Sequence, residues 1–372
     1  MEASLRLGRL FGIPLELSYT WFFVFAMVTL SLAMYYFPSH YPLWPPATYW
    51  LVGLATSLFF FASVVAHELA HSLVARAKGI PVRSITLFIF GGVASIAREA
   101  KKPADELVMA LVGPLTSVAL AALFGSLWLL TRGINQPLAA LARYLGWINL
   151  SLALFNLIPG FPLDGGRVLR SIVWGITGDL RWATRLASLV GQGVAALFII
   201  VGLGMSVAGR WADGLWLIFI GWFLENAAVR SYRQLVLRQA LRGVTVAEVM
   251  SRDCIAVPSD MTLTRLVYDY LLGTGRRCFF VTDEGRLRGL LTVHNVKGIP
   301  QPRWDEVTVA QAMTPYDALK KVSPQDEALA VLERMDEEDV NQMPVVEEGR
   351  LVGLIGRDRL LHFVRTRLEL GL

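Results

Sequence analysis

Long apolar runs, separated by short polar connections, fill the chain as far as about residue 230. A helix needs about 20 predominantly apolar residues to cross the hydrocarbon core of a membrane. Six runs reach that length, and we expect membrane-spanning helices at about 18–37, 49–75, 106–130, 138–158, 186–208 and 211–229. The pattern predicts an α-helical polytopic membrane domain over residues 1–230.

One stretch between the second and third runs, Pro81–Ile96, does not fit a spanning helix. It is short and rich in β-branched and aromatic residues around Gly91-Gly92, a composition typical of a β-hairpin. Non-helical backbone at membrane depth occurs only where it is buried in protein or lines a watery cavity. We therefore expect a small membrane-associated hairpin or sheet, with a plain surface loop as the alternative.

Beyond a basic stretch at 231–243, which we interpret as a linker, the chain repeats itself. The sequence VAEVM at 246–250 returns as VAQAM at 309–313. Each copy has the pattern of helix, strand, strand and helix. The two copies, at 244–300 and 305–366, are predicted to form one α/β module.

The charge distribution is informative about orientation. Hydrophobic residues make up 54% of the chain and charged residues 17%, and the net charge is +5. In the first part, Lys and Arg gather in alternate connections, and such residues mark the cytosolic side of a membrane. With six spans, this bias predicts that both termini are cytosolic in an integral, multi-pass membrane protein. No nucleic-acid partner is expected.

The second apolar run contains the sequence His67-Glu68-Leu69-Ala70-His71. Residues four apart share one face of a helix, so His67 and His71 can offer two imidazoles to one metal ion. In this HExxH pattern the two His bind zinc and the Glu acts as general base on a water molecule. Ionisable groups inside a membrane helix cost roughly 2.5–3.5 kcal/mol each, which favours function over hydrogen-bonded packing, the alternative interpretation.

A catalytic zinc needs a third protein ligand and an open position. Asp164 follows the fourth run within the sequence PGFPLDGGR and lies on the same side of the membrane as the two His. It is the predicted third ligand, although Asp-Gly is also typical of an ordinary turn. Asn156, eight residues earlier, either donates a hydrogen bond to a developing oxyanion or caps a neighbouring helix. We interpret the sequence GPLTS at 113–117 as a site of close helix packing.

Four motifs together resemble those of the site-2 proteases, which are intramembrane zinc metalloproteases: HELAH, FIFGGVA, GPLTS and NLIPGFPLDGGR. The resemblance implies one Zn²⁺ per chain, held by His67, His71 and Asp164. It implies Glu68 as the general base and Asn156 as a contact to the substrate or transition state. It also implies that membrane-anchored proteins are cleaved in or near their transmembrane segments, the process known as regulated intramembrane proteolysis.

The C-terminal repeat resembles a tandem CBS pair, which is often regulatory or dimeric. Such pairs often bind adenine nucleotides through a Thr or Ser and an Asp three residues later. The first copy has Thr292 and Asn295 at these positions, and the second has Gly356 and Arg359, with Asp358 one place early. These departures leave adenine-nucleotide binding open, with homodimerisation or gating through the CBS pair as the alternative.

The sequence therefore predicts an α-helical membrane metalloprotease, embedded in the lipid bilayer, with a cytosolic α/β CBS module. Because a membrane helix hides its carbonyl groups in internal hydrogen bonds, we expect substrates with Gly, Pro or polar residues near the cut. Two other classes of function remain open at this stage. One is a channel or transporter gated by the CBS pair, and the other is a catalytically inactive membrane binding partner.

Overall fold

The computed structural model describes residues 4–89, 91–96, 100–252, 255–274, 278–283, 286–338, 340–348 and 350–370. Within it the chain divides into two compact units, Met1–Leu235 and Val236–Leu372.

Among the described residues, six helices are long and apolar enough to cross a membrane, which confirms the prediction of six spans. The first comprises α1 (Tyr19–Ser31), a π-helical segment (Leu32–Tyr36) and α2 (Phe37–His40). The following elements are α3 (Pro46–Ala77), α4 (Pro103–Thr131), α5 (Gln136–Asn156), α6 (Asp164–Thr177), α7 (Leu180–Val207) and α8 (Trp211–Leu241). Of these, α6 has only 14 residues and is not a span. The stretch interpreted as a linker, 231–243, is helical as far as Leu241 because α8 continues into it.

A four-stranded sheet accompanies these helices, in the order β1 (Ser4–Leu10), β2 (Ile13–Ser18), β3 (Val82–Phe88) and β4 (Gly91–Ile96). The predicted hairpin is confirmed as the antiparallel pair β3–β4. Phe90, between the two strands in the sequence, lies outside the described residues. Strands β1 and β2 were not predicted. They join the hairpin because β2 pairs in parallel with β3, with Leu15 opposite Ile85.

Packing of the sheet against α3 places it next to the HExxH turn. Leu17 of β2 and Leu87 of β3 are buried together with Val64, which lies one turn before the motif on α3. The alternation of the strands turns these apolar side chains to one face, and burial of that face stabilises the contact. The strand β4 therefore lies beside the helical turn that carries Glu68.

Helix α4 packs against α3, α5 and α6 and is central to the first unit. Its first turn carries Asp105 and Glu106, and acidic side chains are favourable at a helix N-terminus because of the helix dipole. Its buried residues recur at intervals of three or four, as expected for one packed helix face: Glu106, Met109, Ala110, Gly113, Pro114 and Ser117. This face carries the contacts that define the site.

In the second unit, the two repeats exchange their opening segments. The elements are α9 (Val246–Val249), β5 (Ala256–Pro258), α10 (Leu263–Arg265), β6 (Cys278–Asp283), β7 (Arg286–Thr292), α11 (Val293–Lys297), α12 (Val309–Ala312), β8 (Thr314–Pro315), α13 (Ala328–Glu337), β9 (Gln342–Glu347), β10 (Arg350–Gly356) and α14 (Arg357–Glu369). Val246 of the first copy is buried in the core formed by the second copy, with Val345 and Leu360. Val309 of the second copy is buried in the core of the first, with Phe279.

This exchange requires a glycine in the second strand of each hairpin. A Cβ on Gly289 would lie 2.5 Å from the Thr314 carbonyl oxygen, and a Cβ on Gly353 would lie 2.9 Å from the Ser251 carbonyl oxygen. The backbone of the other repeat therefore crosses each hairpin so closely that a side chain at the glycine position would not fit. The packing units do not coincide with the repeats that the sequence shows.

Candidate metal centre

Three side chains from two distant segments converge within the first unit. Nε2 of His67 and Nε2 of His71 lie 3.1 and 3.2 Å from Oδ2 of Asp164, and 3.2 Å from each other. Both His are buried, and the Asp164 side chain is 13% exposed. Within the part of the chain that the structure describes, these three residues form a group of possible metal ligands, and their ligand atoms all lie within 4.8 Å of one another.

Helix α4 fixes the orientation of both imidazole rings. Nδ1 of His71 lies 2.6 Å from the carbonyl oxygen of Met109. A carbonyl oxygen only accepts hydrogen bonds, so Nδ1 carries the proton and Nε2 presents its lone pair to the cluster. Nδ1 of His67 lies 2.9 Å from the hydroxyl of Ser117. Each ring is therefore held by its outer nitrogen, which is the usual support of a metal-binding His.

The spacing of the three atoms fits a tetrahedral metal. Zinc bonds to His nitrogen and Asp oxygen are about 2.0–2.2 Å long, and ligands of a regular tetrahedron then lie roughly 3.3–3.5 Å apart. The observed separations of 3.1–3.2 Å are close to that value. Gly113 leaves the space for this arrangement, because a Cβ there would lie 2.1 Å from Nε2 of His71 and 2.7 Å from Nε2 of His67.

Asp164 reaches the two His because the chain before it folds back very tightly. It is the first residue of α6 and follows an irregular segment that begins after α5. A Cβ on Gly165 would lie 2.3 Å from the Leu157 carbonyl oxygen, and one on Gly166 would lie 2.3 Å from the carbonyl carbon of Gly160. Glycine is thus required at both positions, which explains the Asp-Gly-Gly sequence as a packing requirement rather than an ordinary turn.

Glu68 is half-buried beside the cluster, under strand β4. A Cβ on Gly92 would lie 2.7 Å from Cγ of Glu68, so the strand approaches this side chain closely. The arrangement places a carboxylate next to the potential metal ligands and next to the edge strand of the sheet.

The other predicted site residues lie apart from this cluster. Asn156 is the last residue of α5 and is half-buried, and none of the hydrogen bonds found among the described residues joins it to His67, His71 or Asp164. In the second unit, Oγ1 of Thr292 donates to Oδ1 of Asn295 over 2.6 Å, and the two form a capping box at the start of α11. Asp358 is exposed in the first turn of α14.

The contribution of α4 was not predicted from the sequence. Gly113 and Ser117 were interpreted as residues of close helix packing, and Met109 and Glu106 carried no predicted role. The signal was present in their spacing, because intervals of three and four residues place all four on one helix face. The direction of that face, toward the two His, could not be read from the spacing alone.

Comparisons with known proteins identify the families to which the two parts of the chain are similar. The model of the family described as peptidase family M50 matches residues 55–137 and 131–201, and the CBS domain model matches residues 246–299 and 306–366. A candidate zinc metalloprotease of Synechocystis sp. is 37% identical over 98% of this chain and 97% of its own length. Another from Mycobacterium tuberculosis, Rip3, is 34% identical over 95% of this chain and 91% of its own. A solved site-2 protease from Methanocaldococcus jannaschii is 29% identical, with 62% of this chain and 96% of that chain covered and a TM-score of 0.43.

Proposed function

Because this chain belongs to peptidase family M50 and carries two CBS domains, we propose that it is an intramembrane zinc metalloprotease of the site-2 protease type. The observation that carries the proposal is the convergence of two imidazole nitrogens and one carboxylate oxygen, with Glu68 beside them, inside a multi-pass membrane protein. We expect one Zn²⁺ per chain, held by His67, His71 and Asp164.

The chain's own residues account for the proton transfers of peptide hydrolysis. Bound zinc supplies Lewis-acid polarisation of the peptide carbonyl and a lowered pKa for water. Glu68 accepts the proton of the attacking water and passes it to the leaving amine, because its carboxylate is the acid–base group next to the three ligands. Asn156 donates a hydrogen bond to the oxygen of the scissile carbonyl as negative charge develops there.

The edge of the sheet is the proposed docking site for the substrate. Strand β4 is terminal in the order β1-β2-β3-β4 and lies over Glu68. A transmembrane segment that has locally lost its helical hydrogen bonds can add to such an edge as an extended strand. The preferred substrates are therefore membrane-anchored proteins with Gly, Pro or polar residues near the cut.

The cytosolic side is the proposed source of water. The Lys and Arg bias of the connections supports a cytosolic position for both termini. His71 then lies six residues before the cytosolic end of α3 at Ala77, about 9 Å at 1.5 Å per residue. Water reaches the three ligands from that end of the helix.

The CBS pair is the proposed regulatory or dimerisation module. In the first copy the hydroxyl of Thr292 and the amide of Asn295 are bonded to each other, as in an ordinary helix cap. Adenine-nucleotide binding and homodimerisation therefore remain the two alternative roles for the module.

The decisive experiment compares Glu68→Gln with Asp164→Ala in the purified full-length protein. We expect Glu68→Gln to abolish cleavage of a reporter transmembrane substrate while zinc content stays at the wild-type level. Asp164→Ala should lose cleavage and bind zinc measurably more weakly, through the two remaining His. Undiminished cleavage by Glu68→Gln would overturn the proposal, and zinc-independent ion flux through vesicles containing the wild-type protein would favour a channel instead.

The substrate preference is tested separately. Replacing Gly, Pro and polar residues near the cut of a reporter substrate with Leu and Ala stiffens its helix. We expect cleavage to fall, whereas insertion into the membrane should not change. Equal cleavage of the flexible and the stiffened substrate would contradict presentation as an extended strand.

A further inference from the structure

A buried ion pair connects the beginning of α4 with α6. Nε of Arg170 donates to Oε1 of Glu106 over 2.7 Å, and its Nη2 donates to the same oxygen. Nε of Arg167 lies 3.9 Å from that oxygen as well. Glu106 is 2% exposed and Arg170 is 7% exposed, so the pair is held away from water. The mechanism above uses neither residue.

The position of Glu106 on α4 relates the pair to the metal centre. Met109, Gly113 and Ser117 follow Glu106 at intervals of three, four and four residues and therefore share its helix face. Met109 and Ser117 hold the two imidazole rings, and Gly113 leaves room for them. One face of α4 thus contacts both proposed His ligands, and its first member, Glu106, is bound to α6, the helix that begins with Asp164.

Asp164 depends on distant contacts for its position. Gly165 and Gly166, the two residues after it, pack closely through their backbone against the segment that precedes Asp164, but they have no side chains. Contacts between side chains of α6 and α4 therefore come from residues further along α6. Arg170 lies six residues after Asp164, about 9 Å along the helix.

Arg170, which follows Asp164 on α6, contacts both α4 and the segment before Asp164. From its position on α6, Arg170 donates to Glu106 of α4. Its guanidinium carbon also lies 5.2 Å from the centre of the Phe161 ring. Phe161 belongs to the irregular segment just before Asp164. A single guanidinium therefore fixes the segment before the carboxylate, the helix after it, and the distance of both from α4.

We propose that Glu106 and Arg170 are positioning residues that hold Asp164 at bonding distance from the metal bound by His67 and His71. They act through α6 and do not touch the metal. The inference rests on the ligand set of the proposed function. It predicts that loss of the pair weakens zinc binding through Asp164, beyond any effect on folding.

The test measures zinc affinity of the full-length protein in detergent, by competition with a chromophoric chelator. The double variant Glu106→Leu/Arg170→Leu removes both charges, so that neither is left buried and unpaired. We expect zinc affinity to fall about 10- to 100-fold, as for other residues that orient metal ligands. The matched control is Lys78→Leu/Asp105→Leu, which removes an ion pair of 2.7 Å from the adjacent residue of α4 and should leave zinc affinity unchanged.

A second variant covers the case in which the double variant does not fold. Arg170→Lys keeps the positive charge opposite Glu106 but loses the planar fork and its stacking on Phe161. We expect it to fold with the wild-type melting temperature and to bind zinc more weakly. Wild-type zinc affinity in Arg170→Lys, or in a folded double variant, would overturn the inference.

Combination with Asp164→Ala separates positioning from general stabilisation. If the pair acts through Asp164, adding Glu106→Leu/Arg170→Leu or Arg170→Lys to Asp164→Ala produces no further loss of zinc affinity. Additive losses would overturn the inference. If Asp164→Ala itself binds zinc like the wild type, the ligand set of the proposed function is wrong. If only the pair variants do so, the proposed function stands and the positioning role is wrong.

Discussion

The hydroxyl oxygen of Ser117 lies 2.9 Å from Nδ1 of His67, across the interface between α4 and α3. The contact engages the ring nitrogen that points away from the cluster, and the carbonyl of Met109 does the same for His71. A hydrogen bond to the outer nitrogen fixes the rotation of an imidazole ring and keeps its inner nitrogen available for a metal. Part of the candidate metal centre is therefore built from a helix that supplies none of the three proposed ligands.

We predict that Ser117→Ala weakens zinc binding about 10- to 100-fold, because His67 loses its orienting partner. Competition with a chelator measures this directly. Thr116→Val is the matched control, because the Thr116 hydroxyl donates to the Val112 carbonyl within α4 and not to the His67 ring. Equal zinc affinity in the two variants would mean that the Ser117 contact does not support the site.

We predict that Gly113→Ala abolishes zinc binding and proteolysis. The added methyl group would lie 2.1 Å from Nε2 of His71, so the ring or the whole of α4 must shift. Gly125→Ala makes the same change on the same helix, at a position with no atom within 4 Å of the new Cβ. Zinc content and cleavage should be unchanged in this control, and retention of both by Gly113→Ala would contradict the observed proximity.

Features encoded by local pattern could be predicted from the sequence. The six spans follow from run length, because the bilayer sets a minimum number of apolar residues. The β3–β4 hairpin follows from β-branched residues around Gly91 and Gly92. The spacing of four residues predicted that His67 and His71 share one helix face, and the structure places Asp164 beside them.

Features that depend on contacts distant in sequence could not be predicted. Strand β2 exists as part of the sheet because Leu15 pairs with Ile85 far along the chain. A hydroxyl in an apolar helix commonly bonds its own backbone, as Thr116 does, so Ser117 gave no sign of facing His67. The exchange of segments between the two repeats could not be predicted either, because the repeat pattern in the sequence is the same with or without it.

We predict that Gly353→Ala destabilises the second repeat by about 1–3 kcal/mol, the usual cost of overpacking. The new Cβ would lie 2.9 Å from both Sδ of Met250 and the carbonyl oxygen of Ser251, in the segment contributed by the first repeat. Hydrogen exchange of the β9–β10 peptides in the full-length protein measures the loss. Gly298→Ala, whose Cβ would have its nearest contact at 3.4 Å, should leave this exchange unchanged. Equal protection in both variants would contradict the segment exchange.

Asn156→Ala tests the remaining catalytic assignment. A donor to a developing oxyanion acts on the transition state and not on the metal. We therefore predict a loss of about 100- to 1,000-fold in kcat, the range for removal of one such donor, with unchanged zinc affinity. Cleavage of a reporter substrate and chelator competition on one preparation give both quantities.

The alternative role of Asn156 is structural, since it is the last residue of α5. In that case kcat would stay near the wild-type value, and hydrogen exchange would rise at the end of α5 and in the segment that leads to Asp164. A fall in zinc affinity that parallels the fall in kcat would show that the amide acts by holding this segment in place. Only a selective loss of kcat supports contact with the reacting carbonyl.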